Sequence, residues 1–235
     1  MGSKHAGIHL RCDESAEVLA RLKEAFDSKK GPSKEDMMAL ELIKTFAMRN
    51  ISAITDPGEK AEKEALLSQV LDRGLKERES GDPAVIVVRR HFVSIYWYDH
   101  IRNENLRKEM LEYAKMCGVP ALGVGIYDDA NFSIYAVCNA GEPDAYSCQG
   151  TYFFDYEDVA PVKAEEICST IDAPFFMDAL QKVLSEDDGE TMAAVFEQET
   201  GLPIMMYEED CQESQLRALY QWDNAVVYSE KGITA

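Results

Sequence analysis

From Phe92 to Phe154 the chain carries four apolar alternations and one amphipathic segment, each set off by turn residues. Period-two stretches of this length read as strands and the period-3.6 stretch as a helix, so the segment predicts a sheet crossed by a helix. In its first strand Phe92, Ser94, Tyr96 and Tyr98 alternate with Val93, Ile95 and Trp97. Both faces of that strand are therefore expected to be covered, and it is the one strand that needs a parallel neighbour. Asn103 caps the helix, whose Leu106, Met110, Leu111 and Ala114 recur at helical spacing. Gly118 stands where a left-handed residue stops a helix, and Pro120 follows.

Strands over residues 121–127 and 132–138 face each other across Asp128, Asp129, Ala130 and Asn131, which tolerate turn geometry and bond their own backbone. A second turn, Asn139 to Pro143, leads to a third strand around Ala145 to Cys148. The predicted fold is α+β: a mixed, largely antiparallel sheet with an antiparallel meander over 121–148, helices packed on it, and a helical N-terminal portion. One domain over 1–235 is expected, with 1–82 mostly helical and 83–235 holding the sheet.

In the N-terminal portion Gly7 to Arg11 reads as a strand, and Val18, Leu19, Leu22, Ala25 and Phe26 stripe a helix after an Asp13 cap. Ser33 and Asp36 suggest a capping box for a second helix, with Met38, Leu42, Ile43 and Phe46 along it. The methionines at 37, 38 and 48 recur on that helix and are taken as core, although methionine also suits adaptable grooves. Pro57 opens a third helix with Ala65, Leu66, Val70, Leu71 and Leu75 on its apolar side. Towards the C-terminus helices are expected over 175–184 and 191–199, then strands over 203–207 and 225–228 around a helix containing Gln215, Leu216 and Leu219.

Composition limits function. The 235 residues are 46% hydrophobic, enough for a buried core, and their formal net charge is -19. Such a surface repels nucleic-acid phosphates and anionic membranes and favours a basic protein partner. The apolar runs fall short of the ~20 residues that span a bilayer. The N-terminus, with His5, His9 and Arg11, lacks the apolar core of a signal peptide, so a cytoplasmic protein is expected. Cysteines 12, 117, 138, 148, 168 and 211 show no C-x-x-C spacing and read as reduced structural thiols.

The sequence contains no P-loop, G-x-G-x-x-G, H-E-x-x-H or G-x-S-x-G motif, and no cofactor is implied. Asp128, Asp129 and Asn131 offer oxygen ligands for a hard cation but fit turn chemistry better. Cys117 with His91 or His100 could form a nucleophile and base. Tyr152, Phe153, Phe154 and Tyr156 stand beside Asp155, Glu157 and Asp158. Aromatic anchors with acidic neighbours suit a protein contact, and Tyr152, Phe153, Asp155, Glu157 and Asp158 are the candidate contact residues. Two further acidic groups are Glu186 to Asp188 and Glu208 to Asp210.

The series FVSIYWYD, MCGVPALGVGIYDDANFSIYAV, NAGEPDAYSC, TYFFD, FFMDALQKVL and FEQETGLP, spread over residues 92–203, resembles a group of uncharacterised bacterial α+β proteins. Some of that group look like toxin-neutralising immunity proteins, which implies a non-enzymatic binding role and carries no functional residue across. The opposing reading is an enzyme whose site has no local signature.

Overall fold

The computed structural model describes residues 4–28, 34–80, 84–97, 103–127, 131–138, 146–149, 162–222 and 224–233. Two compact units are distinguished, one of residues 1–25 and 83–235 and the other of residues 26–82.

The larger unit is built outward from β1 (Lys4–Arg11). Ala6, Ile8 and Leu10 point to one face and are buried, while Gly7 and His9 point to the other, where His9 is wholly buried. A strand with this pattern must be interior to a sheet covered on both sides. On one side of β1 it pairs antiparallel with β3 (Phe92–Trp97), which pairs antiparallel with β2 (Ala84–Val88). On the other side come β4 (Ala121–Tyr127), β5 (Asn131–Val137) and β6 (Tyr146–Gln149), the expected antiparallel meander. β7 (Leu216–Trp222) and β8 (Ala225–Glu230) complete an eight-stranded sheet of order β6-β5-β4-β1-β3-β2-β8-β7.

The expected parallel neighbour of Phe92–Trp97 is a correction: β3 is antiparallel to both neighbours, and the parallel pair is β2 with β8. The reason is β2, whose Ala-Val-Ile-Val-Val run is buried at every residue, as a strand covered on both faces and paired across a long connection should be.

One face is covered by α4 (Asn103–Cys117). Its Leu106 and Met110 sit over Gly123 of β4, where an added Cβ would stand 3.2 Å from the Met110 sulfur and 3.4 Å from Leu106. Glycine there is what lets the helix approach the strand. Gly118, at φ +64°, ends α4, its N–H donating to the Ala114 carbonyl at 2.8 Å. α1 (Ser15–Ser28) buries Val18, Leu19 and Leu22, and its Arg21 donates to the Cys117 carbonyl at the end of α4.

The opposite face is covered by α5 (Ala164–Thr170), a 3-10 turn at Pro174–Phe176, α6 (Met177–Val183) and α7 (Gly189–Thr200). They pack Ile167, Ile171, Phe176, Leu180, Val183, Met192 and Phe196 on Leu122, Val124, Phe132 and Ile134. Beyond them α8 (Glu208–Glu213) buries Cys211 against Val85, Val87, Tyr96 and Tyr228.

Two C-terminal expectations are corrected. Residues 203–207 are not a strand: this segment crosses the sheet face with Ile204 buried, and the Ile204 N–H donates to Glu197 at 2.6 Å. Leu216 and Leu219 lie in β7, not in a helix, because Leu219 is the extra residue of a bulge between Ala218 and Tyr220. The bulge breaks the alternation that marks a strand and leaves a spacing of three that imitates a helix.

In the smaller unit α2 (Lys34–Ser52) and α3 (Pro57–Ser80) pack together as a helical pair. Leu40 and Ile51 are buried, but Met38, Leu42, Ile43, Phe46 and Met48, expected as core, are exposed, as are Leu66 and Val70. A helix in a pair has one neighbour and covers one stripe, whereas α2 is apolar on more than one.

Phe132 is fully buried, its ring centre 6.1 Å from that of Phe196. Phe132→Ala is expected to lower unfolding free energy by about 3–5 kcal/mol in urea denaturation. Tyr220→Ala on the half-exposed edge strand should cost under about 1 kcal/mol. Equal losses in the two variants would contradict this placement of the core.

Candidate functional site: a charged cleft at the end of the central strand

β1 ends where three other segments begin or end. The Arg11 N–H donates to the Pro120 carbonyl at 2.8 Å and the Cys12 N–H to the His91 carbonyl at 3.0 Å, fixing the strand end to the approaches of β4 and β3. The chain then turns into α1 and leaves a cleft of about 330 Å³. Its lining includes Arg11, Cys12, Asp13, Glu14, Glu17, Arg21, Cys117, Gly118, Pro120 and Asp172.

Each arginine in the cleft is held in place. Arg11 pairs with Asp13 at 2.7 Å, donates through Nε to the Asp172 carbonyl at 3.1 Å, and lies 5.8 Å from the Phe175 ring centre. Arg21 pairs with Glu17 and donates to the Cys117 carbonyl. Asp13, expected as a helix cap, gives its carboxylate to Arg11 instead, and that hydrogen bond holds its pKa below the usual value. Glu14 and Asp172 have no cationic partner among the described residues. Of four lining carboxylates, two are thus neutralised by the two arginines and two are not. Asp172 adopts φ +51°, a left-handed conformation that aspartate tolerates better than most residues.

The thiols of the cleft are poor nucleophiles. Burial pushes Cys12 up to about 11 and Cys117 up to about 12, so both stay protonated at neutral pH. The electrostatic neighbours of Cys117 are Arg21 and Cys12, while the His91 ring lies tilted against that of Phe175, centres 4.9 Å apart, and approaches Asp13 at 3.7 Å. The partners of Cys117 and His91 are thus different groups, and His100 lies outside the described residues. An opening with two unneutralised carboxylates and inert thiols favours a cationic group. Among the described residues no set of three or more His, Cys, Asp or Glu side chains is arranged to hold a metal ion.

The candidate contact residues Tyr152, Phe153, Asp155, Glu157 and Asp158 lie outside the described residues, as do Asp128 and Asp129 of the suggested cation turn. The other two acidic groups serve the fold. Asp188 accepts the Thr191 N–H at 2.8 Å and caps α7. Asp210 accepts the Tyr207 N–H at 2.8 Å at the start of α8, and Glu208 accepts the Tyr228 hydroxyl at 3.1 Å. The cleft itself was not singled out by sequence, because its acids come from the β1–α1 turn and from Asp172, 158 positions beyond Glu14. The only local signal was the Arg-x-Asp-Glu run at 11–14.

Beneath the sheet face near this strand end lies His9. Its Nδ1 is 2.9 Å from the Ser94 hydroxyl, and Nε2 has no hydrogen-bond partner among the described residues. Burial, reinforced by the Arg89 guanidinium, pushes the imidazole down to about 3.

No family model, curated protein or solved structure matches the chain.

His9 gives a pH prediction. Unfolded, it protonates near its ordinary value of 6.5, and folded only near 3. Between these values the unfolded state binds more protons, so stability falls as pH drops from 6.5 towards 3, by on the order of 4 kcal/mol from this group. Imidazole 15N shifts should stay those of a neutral ring at pH 5, and a midpoint near 6.5 would contradict the buried placement.

Proposed function

We propose that this protein is a non-enzymatic, cytoplasmic binding module that takes a basic protein partner, with an immunity-like mode of action, and that the cleft at the end of β1 receives one cationic side chain of that partner. The observation that carries this reading is the charge left over in the cleft: Glu14 and Asp172 without cations, beside Asp13 and Glu17 already paired. A lysine or arginine side chain entering there gains two carboxylates that no residue of the cleft neutralises.

The wider charge distribution supports it. Residues 26–82 hold 12 acidic and 10 basic side chains, which leaves 31 acidic against 14 basic in the remainder, a net of -17 on the unit that contains the cleft. Such a field speeds encounter with a basic surface and weakens with salt, because charges beyond about 8 Å are screened at physiological ionic strength. Thiols that burial keeps protonated, beside an Asp13 carboxyl that Arg11 holds ionised, suit binding better than nucleophilic chemistry. A cytoplasmic setting fits free cysteines at 12, 117, 138, 168 and 211, and no helix among the described residues is long and apolar enough to cross a membrane.

Fluorescence anisotropy with a labelled arginine-rich peptide tests the reading. Glu14→Gln with Asp172→Asn should weaken binding about 5–20-fold and flatten its salt dependence, whereas Asp187→Asn with Glu190→Gln should change it less than about twofold. Asparagine tolerates the backbone conformation of Asp172, so the fold is kept. Equal effects of the two pairs would reduce the interaction to bulk charge and remove the cleft from it.

A further inference from the structure

We infer that the helical pair α2–α3 is a self-association surface, on which a second copy of this chain lays the same pair to form a four-helix bundle. Along α2, Met38, Leu42 and Phe46 recur at spacings of four and are 68%, 59% and 65% exposed, with Ile43 beside them at 49%. On α3, Leu66 and Val70 are also four apart, 53% and 54% exposed. A different face of α2 is buried: Leu40 and Ile51, eleven residues and so about three turns apart, lie on one side of the helix away from the stripe of Met38, Leu42 and Phe46. A helix with two apolar stripes needs two covers, and within this unit it has one.

The area is that of an interface. Weighted by these fractions, the exposed apolar side chains of the pair present on the order of 700 Å², close to the ~800 Å² each partner gives a stable complex. Apolar residues scattered singly on a monomer's surface need no explanation, but on α2 Met38, Leu42 and Phe46 recur every four residues along one side of the helix, and a stripe of that kind marks a contact.

Charge selects the occupant. The pair's own unit is almost neutral, with 12 acidic and 10 basic residues, on a chain whose remainder carries -17. A basic partner of the kind proposed for the cleft gains little here, whereas two copies meet on this surface with little repulsion. A symmetric pairing also places each apolar stripe against its own equivalent, and antiparallel helix pairs stacked in this way give the ordinary four-helix bundle. Salt should therefore act oppositely on the two surfaces: by screening the net charge of the chains it strengthens self-association while it weakens binding of a cation to the cleft.

Sedimentation equilibrium of the full chain at about 50 μM should give the mass of two chains, with dissociation weakening as salt rises from about 0.05 to 0.5 M. Leu42→Glu with Phe46→Glu should give the monomer mass. Since that variant also risks loosening the hairpin, a photo-crosslinking phenylalanine analogue at position 46 in a mixture of 14N and 15N chains supplies a second readout. Crosslinks joining light to heavy chains at α2 or α3 support the inference. A monomer mass for the unaltered chain, or crosslinks confined within single chains, would overturn it.

Discussion

Both faces of β1 are dry, and most of the larger unit follows from that. A strand that places Ile8 and Leu10 on one side and Gly7 and His9 on the other cannot be an edge and cannot leave a face to solvent. Neighbouring strands must satisfy its backbone on either hand, and helices must cover it above and below. Gly7 shows how closely the second layer is applied: a Cβ there would stand 3.0 Å from Tyr96, 3.2 Å from His9 Nε2 and 3.2 Å from the Ile204 carbonyl. The price of this closeness is a histidine held neutral far below its ordinary ionisation, with Ser94 as its partner.

The same strand sets the site. Its last residue, Arg11, leaves the sheet at the point where α4 has ended at Gly118 and α5 has given way to the turn at Asp172. The Arg11 guanidinium thus ties the β1–α1 turn at Asp13 to the turn at Asp172, while its backbone N–H holds Pro120, and Arg21 ties α1 to the end of α4. Two arginines used to fix geometry cannot also neutralise all the carboxylates around them, and the acidic remainder is what a basic side chain meets. Positioning and binding use different members of one charged group.

The sheet was readable because turn chemistry and alternation agree over Phe92 to Val137, and α4 because Asn103, Gly118 and Pro120 bracket a regular stripe. The β2–β8 pairing was not, since no local pattern states which distant strand a fully apolar run will join. A bulge at Leu219 disguised β7 as a helix. The stripe of Met38, Leu42 and Phe46 was read correctly as apolar, but periodicity reports that a face seeks cover and not what supplies it. Acidic runs misled in a similar manner: Asp188 and Asp210 attract notice as charge, yet they cap helices, while Asp172 is distant in sequence from Asp13, Glu14 and Glu17 and joins them only through the fold.

The proposed function depends on the cleft taking a cation at Glu14 and Asp172. The most direct measurement is side-chain carboxyl 13C NMR during titration with butylguanidinium, which carries the cationic head of arginine without a peptide. Saturable shifts are expected at Glu14 and Asp172, with the amides of Gly118 and Val119 moving along the same curve. Small, unsaturating shifts spread evenly over the acidic surface would contradict it.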